Sequence, residues 1–288
     1  VGELAMWEAG AWTRSGPLPA FRVFDVTGTA ANDVYLLEGY ENIWATRLFH
    51  WNGTALSTVP LPADDRAIRR IEALPDGRLW AGGDAGLLLE RSVTGTWTVP
   101  AGWAGGVGNR DIEFIARAPG GDLWVQFWRS SSVTRFWNGT AWSDANHGWV
   151  LHDIAFPANG AVIGIDPLNS GTKFKRWTGG PGWSSDLSYN NAFAPDRSPS
   201  LRDLHVTGGT VWASGDNGTI VRGDGTDNWT VVTTGVPVRY RSIWGSSPTD
   251  LWVGTDEGHV HRFNGTTVGP PLLQGSYSVS RIWGAGAG

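Results

Sequence analysis

A unit of roughly forty residues recurs along this chain, and repeats of that length with several short strands are typical of β-propeller blades. The two clearest copies begin at Leu201 and Tyr240. They contain the matching segments Thr210-Val-Trp-Ala-Ser-Gly-Asp-Asn-Gly and Asp250-Leu-Trp-Val-Gly-Thr-Asp-Glu-Gly. A short apolar run, a Gly-containing turn and a second apolar run follow each of them. The pattern predicts an all-β chain built from four-stranded antiparallel blades.

The repeats run through residues 1–288, which predicts a single domain with seven blades. Full blades are expected at residues 21–62, 66–101, 110–147, 150–186, 201–236 and 240–275. A seventh is expected where residues 278–288 join residues 1–15, because Ile282-Trp-Gly repeats Ile243-Trp-Gly and such a closure removes open sheet edges. Its second strand would be short or absent. The alternative is a six-bladed propeller with loosely attached ends.

Each blade carries an aromatic residue in its second strand, with Ile163 in the odd copy. Because these residues repeat with the blade, we expect them to pack between blades rather than to bind a ligand. They are Tyr35, Trp80, Trp124, Trp212 and Trp252. The turns between third and fourth strands often read Asn-Gly, at Asn52, Asn138 and Asn264. Asn-Gly is typical of a type I′ hairpin.

Composition excludes several functional classes. The chain has no cysteine, so disulfides and thiolate metal sites are excluded. Its formal net charge is −5, and no basic patch is visible, which argues against nucleic acid as a partner. No apolar run approaches the length of a transmembrane helix, so no membrane insertion is expected. The first residues do not form a signal peptide, and we expect a secreted or cell-surface protein whose leader is not in this chain.

The repeats resemble a known family. The phrases Ile243-Trp-Gly-Ser-Ser-Pro-Thr-Asp-Leu-Trp-Val-Gly, Gly215-Asp-Asn-Gly-Thr-Ile-Val-Arg and Trp137-Asn-Gly-Thr-Ala-Trp are similar to bacterial propeller repeats of the BNR/Asp-box and YCF48-like group, of the kind abundant in secreted myxobacterial proteins. Residues 222–229 resemble a degenerate Asp-box. The resemblance implies a propeller that is secreted. The group includes sialidases, other glycosidases, lectins and scaffolds, so the resemblance leaves the chemistry open.

A ring of charged residues is predicted at the start of the innermost strands, which line a propeller's channel. Arginine binds carboxylates and phosphates through two parallel hydrogen bonds, so this ring could hold an anionic ligand. Glu113 or His152 would then transfer protons. Alternatively, these arginines pair with Asp111, Asp153, Asp203 and Glu72 and join adjacent blades. The arginines of the ring are Arg22, Arg69, Arg202 and Arg241.

Three connections between second and third strands are longer than the rest, and they should lie at the same end of the propeller as the arginines. Long loops on a tight repeat scaffold are where binding residues are usually found. An irregular segment at residues 184–200 should lie there as well. The sequence therefore predicts one pocket on the channel face. The expected pocket residues are Tyr40, Trp44, Trp128, Arg129, Asp166 and Tyr189.

Signals for a metal are weak. His259 and His261 are two residues apart on a strand and so project on one face, but no third ligand is identifiable. Asp166, Asn169 and Gly171 have a spacing that suggests calcium but lack the other acidic positions of a calcium loop. We expect no metal and no cofactor, with calcium as the weak alternative.

The function that these observations favour is a ligand-binding propeller, and specifically a carbohydrate-binding, lectin-like module with one main site on the channel face. A small molecule or a glycan is the expected partner. The first alternative is a lyase or hydrolase of an anionic substrate, with His152, Glu113 and Tyr189 as candidate catalytic residues. The second is a scaffold for a protein partner. The chain contains no recognised catalytic motif, which favours a binding protein over an enzyme.

Overall fold

A computed structural model describes residues 5–8, 10–14, 22–40, 43–64, 66–103, 110–127, 133–146, 151–166, 173–179, 183–187, 199–226 and 228–285. The chain divides into two compact units, residues 1–144 with 283–286 and 288, and residues 145–282 with 287. No helix in the described part of the chain is long and apolar enough to cross a membrane.

The first unit contains one two-stranded sheet and three four-stranded sheets, each a meander of consecutive antiparallel strands. The two-stranded sheet pairs β1 (Ala5–Glu8) with β2 (Ala11–Arg14). The four-stranded sheets are β3 (Arg22–Ala30), β4 (Asp33–Tyr40), β5 (Ile43–Trp51) and β6 (Leu56–Val59); β7 (Ile68–Ala73), β8 (Leu79–Gly83), β9 (Leu88–Arg91) and β10 (Trp97–Thr98); and β11 (Ile112–Arg117), β12 (Leu123–Phe127), β13 (Val133–Trp137) and β14 (Trp142–Asn146). The last sheet ends two residues into the second unit.

The second unit repeats the same meander three times. Its sheets are β15 (Asp153–Ala155), β16 (Val162–Asp166), β17 (Lys173–Trp177) and β18 (Ser184–Leu187); β19 (Leu201–Thr207), β20 (Thr210–Gly215), β21 (Thr219–Gly223) and β22 (Trp229–Thr233); and β23 (Tyr240–Ser247), β24 (Asp250–Thr255), β25 (His259–Phe263) and β26 (Val268–Gln274). These six four-stranded sheets correspond to the six full blades predicted from the repeats.

The count of seven blades is not reached in the described residues. They hold six four-stranded sheets, the number of the six-bladed alternative, and the seventh sheet is the β1–β2 pair alone. Residues 275–285 contain no strand, although Val279 donates its N–H to the carbonyl oxygen of Thr255 (2.9 Å).

The second strand of each blade is the most buried, because it has a hydrogen-bonded neighbour on both sides and packs on both faces. Strands β8, β12 and β16 are buried at every position. The five repeat aromatics in the second strands are buried, and Trp124 and Trp212 are each only 1% exposed. The prediction that these residues are structural is therefore confirmed.

The hairpins between third and fourth strands have a conformation different from the predicted type I′ turn. Trp51 pairs with Leu56, so the loop holds four residues, and the side-chain Oδ1 of Asn52 accepts the N–H groups of Thr54 (3.0 Å) and Ala55 (2.9 Å). Only Gly53 has a positive φ, at 92°. A type I′ turn needs positive φ at both central residues, whereas here the asparagine side chain folds the loop as an Asx turn. Asn138 and Asn264 form the same bonds.

Carboxylates tie the innermost strand of one blade to that of the next. The Oδ2 atoms of Asp25, Asp153 and Asp203 accept the backbone N–H groups of Ile71 (3.0 Å), Leu204 (2.8 Å) and Ile243 (2.8 Å), respectively. These amides lie on strand edges that no neighbouring strand pairs, so the carboxylates satisfy donors that would otherwise be buried without an acceptor. We call these three contacts the interblade straps.

Candidate functional site

The predicted arginines project from β-bulges. The strand register shifts between Ile68 and Arg70, and it shifts at the same place in β19 and β23. The residue at the bulge is Arg69, Arg202 or Arg241. A bulge leaves one residue unpaired and redirects its side chain, and here each bulged arginine turns towards the loop that connects the second and third strands of its own blade.

Each of these arginines is bonded to an aspartate from that loop. Arg69 pairs with Asp84 through a short contact, and its Nε lies 3.9 Å from Asp111. Arg202 binds Asp216 through two hydrogen bonds of 3.0 Å. Arg241 pairs with Asp256, again through a short contact. The sequence analysis offered ion pairing as the alternative to ligand binding for these arginines. They are indeed paired, but only Asp111 is one of the carboxylates predicted as partners. The other partners are aspartates of the loop between the second and third strands.

In the second unit the pairs join into a chain of alternating charge, Arg202–Asp216–Arg239–Asp256–Arg241, which we call the Arg–Asp ladder. Arg239 bridges it, with Nε 2.8 Å from Asp216 and Nη1 2.9 Å from Asp256. The charges of Asp216 and then Asp256 raise the pKa of Arg239. Burial would raise the pKa of Asp256, but its hydrogen bond to Arg241 and the charges of Arg241 and Arg239 outweigh burial and lower it. With three arginines and two aspartates, the ladder keeps a net charge of +1, so most but not all of its positive charge is neutralised.

The other members of the predicted ring are less uniform. In β3 the bulge places Phe24, not Arg22, at the position of Arg69, because the register shifts between Val23 and Asp25. Glu113 lies 3.6 Å from Nη2 of Arg70. His152 donates its backbone N–H to the carbonyl oxygen of Ile165 (2.9 Å). Arg22, Glu113 and His152 thus stay sequence-based candidates for the predicted site.

The predicted loop pocket lies mostly outside the described residues. Trp128, Arg129 and Tyr189 fall there, as do the side chains of Arg22, Tyr40 and Trp44. Asp166 is described: it ends β16 and is buried. Its calcium-like companions Asn169 and Gly171 fall outside as well. The pocket therefore stays a prediction.

The two histidines proposed as a weak metal signal do lie together, with ring centroids 6.1 Å apart. His261 is buried, and its Nδ1 is 2.9 Å from the carbonyl oxygen of Gly269. No group of three or more His, Cys, Asp or Glu side chains arranged to hold a metal occurs among the described residues.

Two of the strap carboxylates form a charged cluster in the second unit. Asp153 and Asp203 lie on neighbouring innermost strands, and Nη1 of Arg281 is 3.1 Å from Oδ1 of Asp203. Burial, followed by the negative charge of Asp203, raises the pKa of Asp153 well above its usual value, and the charge of Arg281 opposes this only in part. Nearby, burial lowers the pKa of His205, although its contact with the carbonyl oxygen of Gly245 (2.7 Å) opposes the shift.

The raised pKa of Asp153 predicts a specific pH dependence of stability. Folded chains keep a proton on Asp153 that unfolded chains release at about pH 4, the ordinary range for an aspartate. Its contribution to the unfolding free energy is therefore largest below about pH 4 and falls as pH rises towards the folded pKa. His205 acts in the opposite sense, because protonating it below about pH 6.5 costs more in the folded state.

Urea unfolding at several pH values between about 4.5 and 7.5 isolates the Asp153 contribution when wild type is compared with Asp153→Asn. We expect wild type to lose stability relative to the variant as pH rises. A constant difference between the two across this range would contradict the assignment.

A groove between two blades of the second unit has a volume of about 380 Å³. Thr210, Trp212 and Arg222 are among the residues that line it. Its rim carries Asp224, Asn228, Thr230, Thr249, Asn264 and Thr266, all of them exposed. The groove lies at the end of the blades where the third and fourth strands turn, opposite to the end predicted from loop length. We call it the interblade groove.

The turn that borders this groove is the segment resembling an Asp-box. Asp224 accepts hydrogen bonds from the backbone N–H of Thr226 (2.8 Å), from the Thr226 hydroxyl and from the amide of Asn228 (3.1 Å). These bonds, the Thr226 hydroxyl first, lower the pKa of Asp224. A fixed carboxylate of this kind can accept further hydrogen bonds from a ligand, because each oxygen has two lone pairs.

Comparison with known proteins identifies the fold. No family model and no curated protein matches the chain. Among solved structures it is similar to YCF48 bound to D1 peptide, at 21% identity and a TM-score of 0.67 over 89% of this chain and 84% of that one. It is also similar to the WD40 propeller domain of Doa1 (12%, 0.66, 91% and 86%) and to virginiamycin B lyase from Staphylococcus aureus (16%, 0.63, 87% and 85%). The chain is a β-propeller. At these identities the likeness establishes the fold alone.

Proposed function

We propose that this β-propeller binds carbohydrate, and that its site is the interblade groove. The observation that carries the proposal is the composition of the rim: carboxylate, amide and hydroxyl side chains from two adjacent blades face one open groove of about 380 Å³. Sugar hydroxyls both donate and accept hydrogen bonds, and this set of side chains offers both.

The turns that carry the rim also favour a binding site. Asn264 and Asp224 each accept three or more hydrogen bonds within their own turns, which fixes the backbone around them. A site whose polar groups are held in place before binding loses less entropy when a ligand arrives. Open polar sites of this kind bind sugars partly through water, and the exposure of the rim leaves room for it.

We expected aromatic stacking to hold the sugar, but the ring of Trp212 is not accessible for stacking. The ring is 1% exposed, and the guanidinium of Arg222 covers it with Cζ 5.9 Å from the ring centroid. Polar contacts therefore supply the recognition in this groove. Trp44 and Trp128 remain the sequence-based candidates for a stacking site elsewhere.

A glycan array tests the proposal with a blocked variant and its matched control. Thr230→Trp places a large side chain in the groove from an exposed position of β22, opposite Arg222. Ser57→Trp makes the same change at the equivalent position of β6, opposite His50. We expect wild type and Ser57→Trp to bind the same glycans and Thr230→Trp to lose at least about tenfold in affinity, which corresponds to about 1.4 kcal/mol.

Binding that survives in Thr230→Trp but is lost in Trp44→Ala or Trp128→Ala would move the site to the predicted loops. A blank array would contradict the proposal. The leading alternative would then be a protein partner at the Arg–Asp ladder, where Arg239 is 43% exposed between two aspartates; YCF48, a structural neighbour, is described as bound to a peptide.

A further inference from the structure

The interblade groove contains a cation whose counterpart in other blades has an aspartate partner. Three blades place a basic side chain on the third strand directly opposite an aromatic residue of the second strand. In each the basic side chain lies against the ring. The pairs are His50 with Tyr35 (ring centroids 4.5 Å apart), Arg222 with Trp212 (5.9 Å) and Arg262 with Trp252 (5.6 Å).

In two of these blades an aspartate at the start of the second strand completes the arrangement. Oδ1 of Asp33 is 2.7 Å from Nε2 of His50, and Oδ1 of Asp250 is 2.7 Å from Arg262. The two aspartates hold equivalent positions, because Asp33 pairs with Ala30 and Asp250 with Ser247 across the same turn. In these blades the basic side chain has a carboxylate partner within its own blade.

The third blade has Thr210 at this position, as its pairing with Thr207 shows. Arg222 is exposed, and no carboxylate of the described residues lies within ion-pair distance of it. Its guanidinium is held over the indole ring, which leaves the N–H groups at its edge free to donate. Arg222 lines the interblade groove.

We propose that the interblade groove binds an acidic saccharide, whose carboxylate takes the place beside Arg222 that Asp33 occupies beside His50 and Asp250 beside Arg262. This inference rests on the proposed function and names the class of sugar. A carboxylate matches the planar guanidinium through two parallel hydrogen bonds, which a neutral hydroxyl cannot do.

The rest of the groove limits how the sugar lies. Asp224 is an anion on the same rim, and its oxygens are already bonded to Thr226 and Asn228. It repels a second carboxylate and accepts hydrogen bonds from hydroxyls instead. The groove therefore selects a saccharide with its acidic group at the Arg222 side and its hydroxyls towards Asp224 and Asn264.

Thr210→Asp tests this directly, because it restores in this blade the aspartate that two others carry. The probes are a galacturonate oligosaccharide and its methyl ester, which has the same ring with the charge masked. Titration calorimetry of wild type should show the acid binding at least about tenfold more tightly than the ester, with the preference declining as salt rises. Thr210→Asp should reduce the preference to about twofold or less, whereas the similarly sized but neutral Thr210→Asn should keep most of it.

Two results overturn the inference while leaving the proposed function intact: equal affinity of wild type for acid and ester, or a preference that survives in Thr210→Asp. In both, neutral glycans still bind and are lost in Thr230→Trp. If no saccharide of either kind binds, the proposed function fails, and this inference fails with it.

Discussion

Replacing Asp203 with alanine is expected to destabilise the second unit by about 3 kcal/mol. Asp203 is buried, and it accepts the N–H of Ile243 through Oδ2 and the guanidinium of Arg281 through Oδ1. Alanine leaves a buried amide without an acceptor and removes the contact between Asp203 and Arg281. Together with burial, the charge of Asp203 raises the pKa of Asp153, and removing that charge offsets a part of the loss, which is why we do not expect the largest values seen for buried ion pairs.

Urea unfolding of Asp203→Ala measures this loss, and Asp144→Ala is the matched control. Asp144 also bonds an arginine, Arg135, at 2.8 Å, but its side chain is 44% exposed. Exposed pairs contribute about 1 kcal/mol or less. If the two variants lost equal stability, the interblade strap would contribute no more than a surface ion pair.

Replacing Trp124 with alanine is expected to cost about 3–5 kcal/mol, the range for deleting a large buried side chain. The residue lies in the middle of β12, is 1% exposed and stacks on Phe136 with ring centroids 4.9 Å apart. Phe136 lies on the paired strand β13, whose hydrogen bonds to β12 hold the backbone in place. The surroundings therefore cannot collapse fully into the space that the indole leaves.

Urea unfolding of Trp124→Ala measures this loss, and Tyr277→Ala is the matched control, because it removes a large aromatic side chain that is 61% exposed. We expect the Tyr277 variant to unfold within about 0.5 kcal/mol of wild type. A loss below about 1 kcal/mol for Trp124→Ala would mean that the second-strand aromatics do not stabilise the blades in the way that their burial indicates.

The blades could be predicted because their signals are local and repeated. An aromatic residue in a short apolar strand, followed by a glycine turn, gives Trp80 and Trp252 the same buried position in different sheets. The seventh blade was harder, because it depends on how two chain ends pair across a long separation, which no local pattern encodes. The positions of the Asn-Gly turns were predicted correctly, but their type I′ conformation was wrong. The asparagine side chain accepts the backbone N–H groups of the loop, and residue propensities do not predict that bond.

The partners of the predicted arginines required the register of the strands. The β-bulges of β7 and β19 turn Arg69 towards Asp84 and Arg202 towards Asp216. In β3 the bulge places Phe24, and not the predicted Arg22, at the corresponding position. A one-residue shift of this kind reverses which side chains meet. The interblade groove did leave a trace in the sequence: Thr210 stands where Asp33 and Asp250 occur in other repeats, and the significance of that difference becomes visible only once Arg222 is placed.

The interblade straps also bear on how such a chain can change over evolutionary time. Asp25, Asp153 and Asp203 each bind a main-chain amide of the following blade rather than one of its side chains. Every residue except proline presents that amide, so the connection tolerates almost any sequence in the blade that receives it. A duplicated or exchanged repeat could thus be accepted without a compensating change in its neighbour, which leaves surface positions such as Thr210 free to diverge one blade at a time.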